Sequence, residues 1–445
     1  MASIVLGLGK TGLSVARFLI ERGTMVYGYD DWKESGDCPS DVIGNNHFRW
    51  ISHSEALTLT SREVEEGVVS PGLPGVHPIL RHLEAEGIPV VSEIELASRS
   101  IAFPLIGVTG SNGKSTTVSL IGTFLSHAGY SVFTGGNLGT PLLDAIRSHN
   151  HYDWGVVELS SFQLERIYTA RFQVAGILNL YPNHLDRHLT LVNYFATKKR
   201  IFENQKRTDL AVVNLSTTPW HTKLCREVPS RIVPITTRGE LREGFFFHRD
   251  TIIEQFLDGG KRISCQGWRL PGFHNRENLL FACAVARTLN VPVSQIEQAL
   301  PGFEGLPHRI QKVGEVEGVV YYDDSKSTTP AATRVAVESI PGRIILLIGG
   351  RAKMKDFTEL KEVLLAGRVK AVVVFGEHQV LLQRFVPEEM ECHLVSNLPQ
   401  AVNIAHLIAS PGEKVLLSPA CSSWDQYLNF EERGEHFKRL VYELR

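Results

Sequence analysis

The sequence predicts an α/β protein of three domains, each built around a largely parallel β-sheet. Short apolar runs that fit buried strands alternate along the chain with amphipathic stretches that fit helices. The chain has 445 residues, the length of about three ordinary domains. Hydrophobic residues make up 43% and charged residues 21% of the sequence, which is typical of a globular protein that buries a sizeable core.

The charge and the cysteine content exclude several classes of function. A net charge of −2 gives no general attraction to nucleic acid or to a membrane surface, so neither is expected as a partner. The six cysteines form no C-x-x-C pair, which argues against a disulfide framework or a zinc site and favours reduced thiols in the cytoplasm. The N-terminal segment lacks the basic start of a signal peptide, and apolar runs such as Ile344–Ile348 are too short to span a bilayer.

The first predicted domain covers residues 1–97. Its expected strands are Ile4–Leu6, Met25–Tyr29, Val68–Ser70 and Val90–Val91, and its expected helices are Lys10–Arg22 and His77–Glu86. Residues 92–100 are expected to link this domain to the next. The alternation of strand and helix predicts a small parallel sheet.

A glycine motif follows the first strand and opens the first helix. Residues 7–12, GLGKTG, match G-x-G-x-x-G, and Asp30 and Asp31 follow about 20 residues later, where a ribose-binding acid belongs. The pattern predicts a Rossmann-like domain that binds a nucleotide or a diphosphate, with Lys10 and Thr11 as further donors. Close packing of strand and helix is the alternative reason for such glycines. A nucleoside diphosphate conjugate is a better candidate than NAD, because the rest of the chain offers ATP chemistry and no hydride chemistry.

The second predicted domain covers residues 98–303. Its expected strands are Pro104–Val108, Trp154–Leu159, Ala175–Leu180 and Leu210–Val213, and its expected helices are Lys114–Ala128, residues 191–204 and Asn275–Leu289. Residues 217–270 are expected to be irregular, apart from a hairpin over residues 245–256.

A phosphate-binding loop is predicted at residues 107–117, which read GVTGSNGKSTT between an apolar strand and a helix. Gly110 and Gly113 allow the tight turn that points backbone N–H groups at one phosphate cluster, next to the positive end of the helix. Lys114 can reach the terminal phosphates, and the hydroxyl of Ser115 can ligate Mg²⁺. A valine stands where the standard P-loop has its first glycine. The alternative is an ordinary strand–turn–helix in which the motif arises by chance.

Polar side chains follow two more strands of this domain. Glu158 ends one strand, and His184 follows the other in the segment NHLDRH. Because ligand sites lie at the carboxyl ends of parallel strands, both are candidates for a Mg²⁺ site near the P-loop. Lys198 has apolar residues three, four and seven positions away, so it is expected to face inward, whereas Lys199 is expected to face solvent. The alternatives are a solvated acid, a capping histidine and a surface lysine.

The third predicted domain covers residues 304–445. Its apolar runs are Val319–Tyr322, Ile344–Ile348, Ala371–Phe375 and Val415–Ser418, separated by helical stretches. This order is typical of a doubly wound, Rossmann-like parallel sheet. Hinges between the three domains are expected near residues 98–101 and 303–306.

An ordered set of motifs along nearly the whole chain resembles the Mur ligase family. The motifs are GLGKTGLS (7–14), SPGL (70–73), SEIEL (92–96), TGSNGKST (109–116), GGNLG (135–139), ELSSFQLE (158–165), NHLDRH (183–188), YFATKKRIF (194–202), GFHNRENLL (272–280), GLPHRIQ (305–311), DDSKST (323–328) and LLSPACSSWDQYLNFEERGEHF (416–437). The first and last are most similar to the members that add D-glutamate.

The resemblance implies a cytoplasmic, monomeric ligase of peptidoglycan precursor synthesis, and so of cell-wall formation and cell division. It would use ATP to join D-glutamate to UDP-N-acetylmuramoyl-L-alanine through an acyl phosphate, releasing ADP and phosphate. Lys114, Glu158, His184 and Lys198 are the implied catalytic residues. Ser115 and Glu158 would hold a first Mg²⁺, and His184 and Lys198 a second. For this, Lys198 would carry a carbamate, which is anionic and can ligate a metal.

The resemblance also implies the substrate contacts. ATP would contact Gly110, Ser111, Asn112, Gly113, Lys114, Ser115, Thr116, Asn275, Asn278, Arg309, Asp324 and Lys326. The UDP substrate would contact Lys10, Thr11, Asp30, Ser70 and Asn137, and D-glutamate would contact Thr328, Lys353, Ser423 and Phe430. Helix capping for the asparagines, surface pairing for the charged residues and core packing for Phe430 are the alternatives.

Four residues depart from the family pattern, at Trp32, Asn183, Thr329 and Arg351. They put in question how tightly the substrate binds and how it is positioned, and not the class of reaction. Two other functions stay open at this point. A folylpolyglutamate synthase shares the P-loop but lacks a separate UDP-binding domain, and an NAD-dependent dehydrogenase or nucleotide sensor would leave the P-loop unexplained.

Overall fold

Three β-sheets with flanking helices make up the structure, a computed structural model that describes residues 2–137, 139–216, 220–257, 260–352 and 356–444. The chain divides into two compact units, Met1–Trp268 with His274–Phe303, and Arg269–Phe273 with Glu304–Arg445. The first unit contains two sheets and the second contains one. The predicted α/β class with three sheet domains is therefore confirmed. The expected hinge near residues 303–306 coincides with a boundary between the units, whereas no such boundary falls at residues 98–101.

The first sheet has five parallel strands in the order β3-β2-β1-β4-β5. They are β1 (Ala2–Leu6), β2 (Val26–Tyr29), β3 (Phe48–Trp50), β4 (Val64–Val69) and β5 (Val90–Ser92). The helices are α1 (Lys10–Glu21), α2 (Ser40–Ile43), α3 (His53–Ala56), α4 (Pro78–Ala85) and α5 (Glu93–Ser98), with a 3₁₀ turn at Ser35–Asp37. The strand order reverses between β1 and β4, which is where parallel sheets of this kind bind ligands.

The central sheet has nine strands in the order β14-β13-β12-β11-β10-β9-β6-β8-β7. They are β6 (Leu105–Thr109), β7 (Val132–Gly136), β8 (Trp154–Glu158), β9 (Val174–Ile177), β10 (Leu210–Asn214), β11 (Arg231–Thr236), β12 (Phe245–His248), β13 (Thr251–Glu254) and β14 (Lys261–Ser264). The helices are α6 (Lys114–His127), α7 (Leu142–Arg147), α8 (Ser161–Leu164), α9 (Leu185–His188), α10 (Leu191–Lys199), α11 (Trp220–Glu227), α12 (Phe273–Thr288) and α13 (Val293–Ala299), with 3₁₀ turns at Arg200–Phe202 and Leu300–Gly302.

The prediction of an irregular segment at residues 217–270 is wrong. The described part of that segment contains α11 and the four strands β11 to β14. Strand β13 pairs antiparallel with both β12 and β14, and the predicted hairpin is β12–β13. These strands are short and half-exposed, and each pairs with the strand that precedes it in the sequence.

The third sheet has six strands in the order β15-β16-β20-β17-β18-β19. They are β15 (Gln311–Val316), β16 (Val319–Asp323), β17 (Ile344–Gly349), β18 (Val369–Phe375), β19 (Glu391–Val395) and β20 (Lys414–Ala420). The helices are α14 (Pro330–Ser339), α15 (Thr358–Leu365), α16 (Gln379–Gln383), α17 (Leu398–Ile408) and α18 (Phe430–Glu443). All neighbouring strands are parallel except the hairpin β15–β16, and apolar clusters cover both faces, as predicted for a doubly wound sheet.

One apolar cluster extends from the first sheet into the central sheet. It includes Val5 of β1, Leu143 of α7 and Val157 of β8. At this seam the backbone N–H of Leu143 donates to Oε1 of Glu93 over 2.7 Å, and Ser14 donates to Asp144 over 2.6 Å. The segment predicted as a linker is therefore helix α5, which packs as part of the unit. In the described part of the chain, every helix is too short or too polar to cross a membrane.

Candidate active site

The predicted P-loop joins β6 to α6, as its spacing requires. Gly113 caps the helix with φ +82°, and a Cβ at this position would lie 2.2 Å from Oδ1 of Asn278. Only glycine avoids both the left-handed strain and that contact. Asn179, at the end of the neighbouring strand β9, braces the loop, because its carbonyl accepts from Ser111 N over 3.1 Å and its Oδ1 accepts from Asn112 N over 2.9 Å.

A hydroxyl and a carboxylate meet beside the loop. Ser115, in the first turn of α6, donates to Oε2 of Glu158 over 2.6 Å. Asn137 donates to the other oxygen of Glu158 over 2.9 Å. Glu158 is 4% exposed, so its carboxyl group is largely shielded from water. Oxygen donors of this kind suit Mg²⁺, which is consistent with the predicted metal role of Ser115 and Glu158.

Lys114 and Lys198 both lie against the P-loop backbone. Nζ of Lys114 donates to the carbonyls of Gly110 and Ser111 over 3.1 and 3.2 Å. Nζ of Lys198 donates to the Gly110 carbonyl over 2.9 Å and to Oγ1 of Thr109 over 3.2 Å. Lys198 is 1% exposed, which confirms the inward orientation expected from its position on α10, whereas Lys199 forms an ion pair with Glu227.

Burial controls the charge of Lys198. Loss of hydration and the nearby Lys114 ammonium lower the pKa of the Lys198 amine well below its usual range, and Glu158 opposes this shift. The Tyr194 ring adds a further contact, since its centroid lies 4.6 Å from Nζ of Lys198. The site therefore favours a neutral amine at this position.

The ring of His184 lies near Tyr194, the aromatic residue that contacts Lys198. His184 has φ +52°, an uncommon backbone conformation, and precedes α9. Its ring lies 4.9 Å from that of Phe162 and 6.4 Å from that of Tyr194, which also contacts Lys198. Partial desolvation lowers the pKa of His184, opposed by Asp186. The ring is thus kept neutral, the state in which a histidine ligates a metal.

Asn275 and Asn278 lie on helix α12 and face the P-loop. Oδ1 of Asn278 accepts from Thr117 over 3.2 Å, and Nδ2 of Asn278 donates to Asn275 over 3.2 Å. Both asparagines are buried, as is Thr116. Asn278 therefore contacts the phosphate loop from a neighbouring helix, which argues against a simple capping role.

The carboxyl edge of the first sheet contains the candidate UDP-substrate residues. Ser70, after β4, donates to the carbonyl of Gly7 over 2.6 Å, and Lys10 and Thr11 form the first turn of α1. Both oxygens of Asp30 are engaged by the backbone, because Oδ2 accepts from Leu8 N over 2.6 Å and Oδ1 accepts from the N–H groups of Trp32 and Lys33. Asp30 therefore fixes the loop after β2, a role that its position in the motif does not reveal.

Asp31, the acid next to Asp30, belongs to a different hydrogen-bond network. Oδ1 of Asp31 accepts from Tyr29 over 2.6 Å and lies 3.1 Å from Nε2 of His77. The Tyr29 hydroxyl also lies 3.0 Å from Nδ1 of His53. Burial raises the pKa of Tyr29 strongly, while the hydrogen bonds from Tyr29 and His77 lower the pKa of Asp31.

Arg187 joins the first sheet to the His184 segment. Its NH1 donates to the carbonyl of Leu73 over 2.9 Å, and its NH2 pairs with Glu165 over 2.5 Å. The loop after Ser70 and the helix α9 are therefore neighbours within the first unit.

The second unit holds the remaining ATP-side candidates. Asp324 is 2% exposed; its two oxygens accept from Ile310 N over 3.2 Å and from Ser418 over 2.7 Å. Burial raises the pKa of Asp324 to about 7, opposed by the hydroxyl hydrogen bonds and by Arg309. Arg309 has a buried Nε with no hydrogen-bond partner among the described residues. Neither residue forms the exposed surface pair that was the alternative.

The candidate D-glutamate residues lie on three segments of the same unit. Ser423 is buried just after β20, Thr328 is half-buried before α14, and Phe430 begins α18. Nζ of Lys326 lies 4.9 Å from the ring centroid of Phe430, so an ATP-side and an amino-acid-side candidate are in contact. Phe430 is only partly buried, which argues against the core alternative. Lys353 lies outside the described residues.

Three of the four departures from the family pattern have local roles. Oδ1 of Asn183 accepts from His184 N over 2.9 Å, and Thr329 caps helix α14. Arg351 pairs with Glu377 over 2.8 Å and bridges to Ser422 through its backbone. The fourth, Trp32, is 94% exposed.

Several supporting residues were not expected from the sequence. Asn179 and Thr109 hold the P-loop and Lys198, and Tyr194 contacts Lys198, but each is an ordinary residue at the end of a strand or on a helix. In the second unit Arg433 is fully buried, and its guanidinium donates to Ser325 and to the Cys421 carbonyl. No local pattern marks these residues, because their partners lie on other elements.

A glycine loop at a helix N-terminus, beside a buried hydroxyl–carboxylate pair, defines a P-loop protein built to hold phosphates and a hard cation. Three family models match the chain in order. They are the Mur ligase MurD-like N-terminal domain at residues 1–92, the Mur ligase middle domain at residues 108–286, and the Mur ligase glutamate ligase domain at residues 308–421. The chain belongs to the Mur ligase family, and the expected ligase class is confirmed.

The chain is similar over nearly its whole length to curated relatives. A UDP-N-acetylmuramoylalanine–D-glutamate ligase of Geotalea uraniireducens is 39% identical, covering 99% of this chain and 97% of the relative. The enzyme of the same name from Syntrophus aciditrophicus is 38% identical, covering 98% and 97%.

Solved structures of the family share the fold. UDP-N-acetylmuramate–alanine ligase MurC from Thermotoga maritima aligns over 100% of both chains with a TM-score of 0.61 and 18% identity. MurF ligase from Thermotoga maritima in complex with ADP aligns over 88% of this chain and 100% of its own, with a TM-score of 0.58 and 20% identity.

Proposed function

We propose that this protein joins D-glutamate to UDP-N-acetylmuramoyl-L-alanine at the expense of ATP, through an acyl phosphate, releasing ADP and phosphate. The observation that carries the proposal is the contact of Ser115 and Glu158 beside the P-loop, in a chain about 38% identical to enzymes named for this reaction. In this scheme the substrate carboxylate attacks the γ-phosphate of ATP. The amine of D-glutamate then displaces phosphate from the acyl phosphate.

Phosphoryl transfer needs positioning and neutralisation of charge more than covalent help from the protein. The loop from Gly110 to Gly113 offers backbone N–H groups at the positive end of α6. Lys114 already lies over the loop through its contacts with Gly110 and Ser111, so its ammonium is available to the terminal phosphates.

The described residues fit a first Mg²⁺, which Ser115 and Glu158 would hold with their oxygens. When bound, the ion polarises the phosphoryl group and neutralises developing charge. Asn137 keeps Glu158 oriented by donating to its second oxygen. In the proposal Asn137 also contacts the muramoyl part of the substrate.

A second ion would fit His184 and Lys198 only if Lys198 carries a carbamate, because an ammonium repels a cation. Two features support this modification. The lowered pKa of Lys198 supplies the neutral amine that reacts with CO₂, and the neutral His184 ring offers a nitrogen lone pair.

The substrates are assigned to the elements as follows. The UDP part binds at the edge of the first sheet through Lys10, Thr11, Asp30 and Ser70. Asn275 and Asn278 are assigned to the nucleoside side of ATP. Arg309, Asp324 and Lys326 stay predicted ATP contacts. Thr328, Lys353, Ser423 and Phe430 receive D-glutamate. The domain limits 1–97, 98–303 and 304–445, closure of the domains on substrate, a monomeric state and a cytoplasmic location stay predictions.

The two other functions have less support. The match of residues 1–92 to a MurD-like N-terminal domain disfavours a folylpolyglutamate synthase, which has no such domain. A dehydrogenase would leave unexplained the buried contact between Ser115 and Glu158.

The experiment is phosphate release by the purified protein with ATP, Mg²⁺, UDP-N-acetylmuramoyl-L-alanine and a panel of D- and L-amino acids. We expect release only when the UDP substrate and D-glutamate are both present. Lys114→Ala, which removes phosphate-neutralising charge and little packing, should abolish release while the far-UV circular dichroism spectrum is kept. Release with a folate acceptor, or with no amino acid at all, would contradict the proposal.

A further inference from the structure

Few side chains of the segment that carries His184 are buried. Of residues 181–190, which lie within a described range, only Arg187 and His188 are not exposed. The segment contains α9, a single helical turn of four residues, and so short a helix has little stability of its own. His184 and Leu189 flank this turn, and both have positive φ, at +52° and +66°. Residues other than glycine are strained in that conformation, which persists only where the surrounding structure holds them.

Arg187 fixes α9 to two other parts of the first unit. Its Nε and NH2 donate to the two carboxylate oxygens of Glu165, over 3.1 and 2.5 Å. Its NH1 donates over 2.9 Å to the carbonyl of Leu73, in the loop that follows β4. Because the guanidinium is planar and forked, these three bonds fix the direction of the side chain as well as its distance from each partner.

The same guanidinium covers an aromatic ring that contacts His184. Cζ of Arg187 lies 4.3 Å from the ring centroid of Phe162, and that ring lies 4.9 Å from the ring of His184. The backbone N–H of Arg187 also donates to the His184 carbonyl over 3.1 Å. Arg187 therefore acts on His184 in two ways, through the helical turn that it shares with His184 and through Phe162.

The ring of His184 has to be held by its neighbours, because the residue is exposed. Its proposed role is to present a neutral ring nitrogen to the second ion, and that role depends on the direction of the ring. Phe162 and Tyr194 both contact the ring. Tyr194 is 1% exposed and is fixed by its burial, whereas Phe162 is only half-buried and is covered by Arg187. Arg187 thus holds the side of the ring that burial does not fix.

We propose that Arg187 is a positioning residue for the second ion. It holds α9 against Glu165 and the loop after β4, and so keeps the ring of His184 directed at that ion. This inference rests on the proposed function, because it requires His184 to ligate the ion. Arg187 contacts neither the substrates nor the reacting atoms in this scheme. Loss of a group that orients a metal ligand lowers metal affinity or activity about 10- to 100-fold.

The test is a titration of the full-length protein with Mn²⁺, which accepts the same oxygen ligands as Mg²⁺ and whose free form is measured by electron paramagnetic resonance. ADP, UDP-N-acetylmuramoyl-L-alanine and bicarbonate are present at saturation throughout. We expect two bound ions in the unmodified protein. Arg187→Gln should weaken binding of one ion about 10- to 100-fold and leave the other unchanged. Arg187→Lys keeps the charge without the fork and should fall between the two.

Two further variants separate positioning from a general loss of stability. Arg171→Gln is the matched control, because Arg171 forms an equally forked pair with Asp209, over 2.8 and 2.6 Å, in the same unit. Asp209 is 3% exposed, so this variant should be destabilised at least as much and should still bind both ions. Glu165→Gln keeps the shape of the partner and removes its charge. It should weaken the same ion by a smaller factor, and it provides the test if Arg187→Gln does not fold.

Steady-state phosphate release gives an independent readout. Arg187→Gln should lower kcat at a fixed Mg²⁺ concentration and raise the Mg²⁺ concentration needed for half the maximal rate. Excess Mg²⁺ should restore much of the lost rate, which it would not do for a misfolded protein. KM for D-glutamate should stay unchanged, because its candidate residues lie in the second unit.

The outcomes are distinct. Unchanged affinity for both ions in Arg187→Gln, or in Glu165→Gln where Arg187→Gln does not fold, would overturn the inference and leave the proposed function standing. An equal loss of one ion in Arg171→Gln would also overturn it, since destabilisation would then explain the effect. A single bound ion in an active unmodified protein would overturn both the second-ion site and this inference. Absence of phosphate release by the unmodified protein would overturn the proposed function itself.

Discussion

Lys198→Ala gives the sharpest test of the candidate site. An ordinary lysine has a pKa of about 10.4, so roughly one amine in 2,500 is neutral at pH 7. Each unit by which burial lowers the pKa raises that fraction tenfold, and the pKa of Lys198 is lowered well below its usual range. If the amine carries a carbamate, alanine removes an anionic group from the phosphate site. We expect kcat to fall about 10²- to 10³-fold, the usual cost of losing one preorganised electrostatic contact.

The fold should survive this substitution. Nζ of Lys198 donates two hydrogen bonds, to Thr109 and to Gly110, which together stabilise the protein by about 1–3 kcal/mol. Release of a desolvated amine offsets part of that loss. Lys199→Ala is the matched control, because the neighbouring lysine forms only a surface ion pair with Glu227. It should leave kcat and the unfolding midpoint nearly unchanged.

The assay is phosphate release measured with and without added bicarbonate, and with acetate or formate supplied to each variant. The unmodified protein should lose activity when CO₂ is removed and regain it with bicarbonate. A short carboxylate should partly restore Lys198→Ala and should not affect Lys199→Ala. Activity of Lys198→Ala above a tenth of normal, or insensitivity of the unmodified protein to CO₂, would refute the carbamate reasoning.

Three further predictions concern the first unit. Gly113→Ala should weaken ATP binding and lower the stability in urea more than Gly129→Ala does. Both glycines have a positive φ, but only at Gly113 would an added Cβ clash, 2.2 Å from a neighbouring side chain. Equal losses of stability in the two variants would contradict this. Burial raises the pKa of Glu93 to about 7, so the stability that its proton provides is complete below about pH 4 and is lost as the pH rises through 7. The free energy of unfolding of the unmodified protein should therefore fall by about 2–3 kcal/mol between pH 5 and pH 8 relative to that of Glu93→Gln. Urea midpoints that change equally with pH in the two proteins would refute the prediction. Arg287→Met should cost about 3–5 kcal/mol in urea unfolding, because it leaves Glu254 buried without its 2.6 Å partner, and adding Glu254→Gln should recover part of the loss.

Contiguous patterns made the geometry of the P-loop predictable. The strand, the two glycines and the lysine of the P-loop are adjacent in the sequence, so local geometry alone places them at a helix N-terminus. The inward face of Lys198 followed from apolar residues at helical spacing. Glu158 and His184 followed from the rule that parallel strands end at one edge of a sheet.

Contacts between distant segments were not predictable. Asn179 follows a strand that was expected to end near the P-loop, but its pairing with Ser111 and Asn112 through its backbone carbonyl and its side-chain Oδ1 was not predicted. The position of Asp30 in the motif predicts a ribose ligand, and it does not reveal that the oxygens of Asp30 also accept backbone N–H groups. Apart from the hairpin β12–β13, strands β11 to β14 were not predicted, because they are short and half-exposed and are held by pairing with neighbouring strands.

The apolar cluster that Val5 shares with Leu143 and Val157 has a consequence for how this protein can evolve. Residues from 304 onward keep a core of their own, so recombination could exchange them as a module. The first sheet has a core of its own on one face only, because its other face shares an apolar cluster with the central sheet. A graft that replaced it would bring one half of a joint hydrophobic interior, and only sequences whose seam side chains match the recipient would produce a folded hybrid.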